Sequence, residues 1–139
     1  MPAKVMTRSF EVETERENQM VDITERVREA AAALSDGLAT VFVAGSTAAV
    51  ATIEYEPGLV KDFPAMLERV APKGAAYEHH RKWHDENGHS HVKASLVGPS
   101  LSIPFAGGEL VLGEWQQVVL VELDIRPRTR KVVVQVIGE

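Results

Sequence analysis

All the histidines of this chain, His79, His80, His84, His89 and His91, fall within the stretch EHHRKWHDENGHSH. Imidazoles bind transition metals and move protons near neutral pH, so their crowding marks the first place to look for chemistry. In His89-Ser90-His91, two side chains share one side if the backbone is extended. If a helix begins there the pair splays, and convergence depends on the Asn87-Gly88 turn, where glycine makes a bend easy. His79 would bring a third nitrogen across a polar loop, and three imidazoles plus a water form an open zinc-type site. His84 is a further candidate ligand, with solvation as the alternative, whereas His80 reads as solvated. Asp85, Glu86, Glu54 and Glu56 are the carboxylates available as an extra ligand, a base or the partner that orients an imidazole. With no cysteine in the chain, thiolate sites are excluded and a transition-metal site must use imidazole and carboxylate; zinc is the first expectation. Lys93 is a candidate point charge for a phosphate.

Totals narrow the field further. The length of 139 residues suits a single domain spanning residues 1–139. A formal net charge of -5 argues against a nucleic-acid binder, which needs gathered cationic side chains. The basic group Arg126, Arg128, Arg130 and Lys131 alternates with Pro127 and Thr129 and reads as a hairpin tip. No apolar leader or membrane-length run is present, so residence in the cytoplasm is expected and no membrane partner. P-loop, GxGxxG, GxSxG and HExxH patterns are absent.

The elements that must position these groups follow from periodicity. Residues 4–13 alternate as a strand. Asp22 with Glu25 has the spacing of a capping box, Ile23, Val27, Ala30/Ala31 and Leu34 share a helical face, and Gly37 is placed as the C-terminal stop. ATVFVA (39–44) reads as a buried strand ended by the turn Gly45-Ser46-Thr47. Weak alternation at Val50, Thr52 and Glu54 precedes a helix over Leu59, Phe63, Met66/Leu67 and Val70, stopped by Pro72, with Pro64 kinking it or marking its true start. Residues 89–97 read as helical, or as the entry to a strand. The last forty residues read as a β-meander turning at Gly107-Gly108, with Trp115 and Gln116 at a strand start. The class is α+β, a mostly antiparallel sheet or sandwich with two or three helices.

Several of these segments also carry a likeness. Tyr77-Glu78-His79, Ser90-His91-Val92-Lys93-Ala94-Ser95-Leu96, Gly98-Pro99-Ser100-Leu101, Leu112-Gly113 with Trp115-Gln116, and Arg128, Arg130-Lys131-Val132-Val133-Val134 together resemble the YjbQ-like family, also called the secondary thiamine-phosphate synthase family. The resemblance implies a compact α+β subunit in a homotrimer and a weak thiamine-phosphate synthase activity, joining a pyrimidine pyrophosphate to a thiazole phosphate. By position it implies site roles for His79, His91, Glu54, Trp115 and Gln116. Ser46 and Thr47 match the polar part of the family's His-Thr-Ser motif, and with Trp115 they are the expected cofactor or ligand contacts. Two departures stand out: Gly45 replaces the histidine that opens that motif, and Ile53 replaces the asparagine before Glu54. His89 would then restore the imidazole count.

Two functions compete on these readings. One is a metal-dependent enzyme acting on a small anionic or phosphorylated metabolite, with His79, His89 and His91 (and His84) on the ion and Glu54, Gln116 and Lys93 as catalytic groups. The other is a non-enzymatic trimeric module that binds a metal or metabolite.

Overall fold

The computed structural model describes residues 2–139. In chain order its elements are β1 (Lys4–Glu13), β2 (Met20–Asp22), α1 (Thr24–Ala31), β3 (Gly37–Ala44), β4 (Ala48–Ile53), α2 (Pro57–Val70), α3 (Glu78–Trp83), α4 (Gly88–Val97), β5 (Ser100–Ala106), β6 (Glu109–Leu110), β7 (Gln117–Glu122) and β8 (Thr129–Gly138). The α+β class holds, with antiparallel pairing throughout the two sheets and four helices rather than two or three.

Alternation dictates the larger sheet, ordered β1-β8-β3-β5-β6. Val132, Val134 and Val136 of β8 and Ala39, Val41 and Val43 of β3 point inward and are fully buried or nearly so. The second sheet, ordered β2-β7-β4, has β7 at its centre. QVVLVE does not alternate because both faces are covered. Val118 and Leu120 face the core between the sheets, closed by Ile23, Val27 and Leu34 from α1 and its flanks. Val119 and Val121 face a second core with Leu67 of α2 and Ala94 of α4. The molecule is thus a layered stack of large sheet, small sheet and helices.

Several expectations need correction. The final segment is no meander: β5 and β6 form a hairpin, but β7 joins β2 and β4 whereas β8 inserts between β1 and β3. Nearest-neighbour pairing lost to the need to bury both faces of β7. Asp22 starts α1 by accepting from Thr24 N at 2.9 Å and from its hydroxyl at 2.6 Å, so the capping box with Glu25 does not form. Gly37 opens β3 rather than stopping a helix; a Cβ there would stand 2.2 Å from the Ile137 carbonyl oxygen. Pro64 lies inside α2, whose start is set by Glu56, whose side chain accepts from Gly58 N and Leu59 N. The expected polar loop after His79 contains α3, and residues 88–97 are helical. Among the described residues no helix is long and apolar enough to cross a membrane.

Candidate functional site

The start of α4 sorts the histidines. Asn87 O accepts from Ser90 N and His91 N, at 3.0 and 3.3 Å, closing the first turn. His80, expected in solvent, instead accepts the Gly88 N–H at Nε2, 2.9 Å away. Glycine is required there, because a Cβ would stand 2.6 Å from Tyr77 Cβ. Once this turn is helical, His89 and His91 diverge by about 200°. His89 is wholly buried, and its Nε2 lies 2.6 Å from Glu17 Oε2 while Nδ1 has no partner among the described residues. Lys73 Nζ holds the other Glu17 oxygen at 2.8 Å. His91 turns the opposite way, its ring centroid 4.4 Å from that of His79.

The structure therefore brings together His79 and His91 and sets His89 apart. Around the pair stand two carboxylates and an amide. His79 Nε2 is 3.2 Å from Asp85 Oδ1 and 3.1 Å from the Asn87 amide. Turned one way, Asn87 donates to Asp124 at 3.3 Å; turned the other, it donates to Asp85 at 2.8 Å and to His79 at 3.1 Å. Desolvation, then the neighbouring His79, lower the His91 pKa below its ordinary 6.5. At neutral pH its ring is thus uncharged, with a lone pair to offer a proton or a ligand.

Beneath the pair lies a buried polar hub. Asp124 accepts from Thr47 Oγ1 at 3.0 Å, Ile125 N at 2.8 Å and Arg128 Nε at 2.9 Å. Glu122, also fully buried, takes Arg130 Nε at 2.8 Å and Nη2, while Nη2 further donates to Thr47 Oγ1 at 2.8 Å. These bonds fix the β3–β4 turn against β7 and β8. Beside it opens a pocket of about 160 Å³ lined by Gly45, Ser46, Ala48, His91, Ala94, Ser95 and Pro99. Uncharged imidazole and hydroxyl groups around a small cavity can position a polar ligand and exchange a proton with it.

The remaining sequence candidates lie elsewhere. Ser46 lines this pocket, but Thr47 is buried in the hub. Lys93 is 2 % exposed and donates to Glu68 at 2.8 Å. His84 is exposed at the left-handed end of α3, and Glu54 is exposed just after β4. Trp115 is 65 % exposed in the turn before β7 rather than on a strand. Gln116 accepts from Gly113 N at 2.7 Å and lines another pocket, of about 210 Å³, with Thr52 and Leu112. Among the described residues no group of three or more His, Asp or Glu stands ready to hold a metal ion. Glu17, Asn87, Glu122, Asp124 and Arg130 were not expected at or beneath a site. The available signal was acidic and basic residues inside VELDIRPRTR, where a strand is otherwise apolar.

Comparison with known proteins matches this architecture. The family model for UPF0047 protein YjbQ-like spans residues 8–139. A UPF0047 protein of Archaeoglobus fulgidus is 37% identical over 124 residues, covering 89% of this chain and 95% of that one. One from Mycobacterium tuberculosis is 40% identical over 117 residues, covering 83% and 88%. Among solved structures, a YbjQ-like protein of unknown function from Sulfolobus solfataricus superposes with a TM-score of 0.94 at 33% identity, covering 99% of this chain and 100% of that one. A hypothetical protein from Aeropyrum pernix gives 0.88 at 38%, covering 96% and 99%. With family model, relatives and fold agreeing over nearly its whole length, the chain belongs to the YjbQ-like (UPF0047) family.

Proposed function

We propose that the chain binds a small anionic or phosphorylated metabolite in the pocket beside His91, and that His91 exchanges a proton with it while His79 and Asp85 position the ring. The observation that carries this reading is an imidazole kept uncharged by its surroundings at the wall of an open, hydroxyl-lined cavity. A base poised in this way suits proton transfer near neutral pH. The reaction to test first is the joining of a pyrimidine pyrophosphate to a thiazole phosphate, which the family resemblance implies. Turnover by the wild-type chain that drops at least a hundredfold in His91→Gln supports an enzyme. Binding without turnover supports the non-enzymatic module, and neither binding nor turnover removes the proposal.

A metal-assisted version of the same site has one specific observation in its favour. His79 Nε2 and Asp85 Oδ1 are 3.2 Å apart, close to the separation of two ligands bound to one ion at about 2.0–2.2 Å. His79, His91 and Asp85 would then hold a divalent transition metal, zinc first, whose chemistry is to polarise a bound oxygen. Loading needs a side-chain shift, because no three donors converge among the described residues. His89 would stay on Glu17. Metal analysis of untagged wild-type protein against His79→Ala and His91→Ala checks this; equal zinc in all three refutes it.

The homotrimer implied by the resemblance is proposed as the working assembly. Its support is the uncovered outer face of the large sheet, where Val5, Ile137, Leu38 and Pro104 form one cross-strand row. Val5, Leu38 and Ile137 are 62 %, 42 % and 46 % exposed. Light scattering that returns a monomer mass overturns the assembly.

A further inference from the structure

Arg130 is buried to 6 % exposure and committed to Glu122 and Thr47 through Nε and Nη2. Its Nη1 makes no hydrogen bond among the described residues. That nitrogen faces Gly45, where an added Cβ would stand 2.8 Å from Nη1. Gly45 itself is exposed and lines the pocket beside His91, together with Ser46 and Ser95. A guanidinium fixed on two of its edges and bare on the third is a preorganised donor, since the cost of holding the side chain has already been met by Glu122 and Thr47.

We infer that Arg130 Nη1, left uncovered by Gly45, is the anion-recognising group of the His91 pocket and takes an oxygen of a phosphate or carboxylate. This rests on the proposed ligand site and names the chemistry that the site selects. Ser46 and Ser95 line the same pocket and offer further hydroxyl donors to a bound anion. Glu122 offsets much of the Arg130 charge, so recognition is by directed hydrogen bonding to one anionic group rather than by a general positive field. Gly45 sets the specificity, because any side chain there screens the guanidinium.

The test titrates the full chain with inorganic phosphate and, separately, with acetate, following the His91 ring and Arg130 guanidinium resonances by NMR. Saturable shifts at both residues are expected with at least one anion, and the stronger binder distinguishes a phosphate site from a carboxylate site. Gly45→Ala, whose Cβ would stand 2.8 Å from Nη1, should weaken that binding roughly tenfold or more, with circular dichroism used to establish that the variant keeps the native fold. Unchanged binding in Gly45→Ala overturns the inference, as does wild-type protein whose two resonances respond to neither anion or only in parallel with scattered surface lysines. Failure of the parent reading looks different: His91→Gln would then keep full turnover or full metabolite binding, whatever Gly45→Ala does to anion affinity.

Discussion

Replacing Asp124 by asparagine removes the one negative charge that ties α4, the β3–β4 turn and the β7–β8 connection together. Burial by itself would raise the pKa of this carboxyl, yet the Ile125 N–H, the Arg128 guanidinium, Asn87 and Thr47 overcome it and hold the group at about 2 against an ordinary 3.8. That difference corresponds to about 2 kcal/mol favouring the charged, folded form. Because the folded pKa is the lower one, the contribution is complete above about pH 4 and fades as pH falls toward about 2. Asp124→Asn leaves Arg128 without its buried partner and misplaces one donor, so near pH 7 it should cost about 2–3 kcal/mol. Urea unfolding of both proteins from about pH 7 down to about pH 2.5 reads the gap between them. It should narrow by more than about 1 kcal/mol over the acid limb. A gap that stays constant across that range would refute the assignment of the stabilisation to the Asp124 charge.

Three further expectations rest on separate contacts. Glu17→Gln takes the charge away from the 2.6 Å contact to the buried His89 and should lower urea stability by roughly 2 kcal/mol; an unchanged midpoint would show that His89 is held by packing alone. Gly37→Ala drives a methyl into the Ile137 carbonyl and should cost at least about 3 kcal/mol or abolish soluble folded protein, as read by circular dichroism. The His91 ring should titrate below 6.5 in NMR, and because His79 is one of the groups that disfavours its protonation, His79→Ala should move that titration upward. An unmoved or downward titration contradicts the described ring pair.

Legibility differed by element in a way that periodicity explains. The strand at 39–44 and the helix ending before Pro72 carry strong local patterns, and both are present. The pairing of β7 and β8 was not readable, because VVLV and VVVQV offer the same apolar surface and only the three-dimensional layers decide which sheet takes which. In the site, the sequence grouped His79, His89 and His91, and the structure brings together only His79 and His91, since His-Ser-His supports convergence only on extended backbone. Asp124 drew no reading, and Arg130 reads in sequence as part of a hairpin tip, for a different reason. A charged residue near a turn reads as solvated unless its buried partner, here Thr47 for Asp124 and Glu122 for Arg130, is known.

The crowding of imidazoles therefore has no single cause. His80 closes the start of α4 by accepting the Gly88 N–H, a structural task that needs its ring unprotonated at Nε2. His89 sits in the interior against Glu17, linking α4 to the β1–β2 connection and through Lys73 to the segment after α2. His79 packs against His91, and it is His91 that lines the pocket. The first two tasks make the third possible: with α4 anchored at its first turn by His80 and at its inner face by His89, His91 has one direction left, toward Gly45 and Ser46. A variant that loosens either anchor should thus reach the pocket through the orientation of His91, without touching any group that lines it.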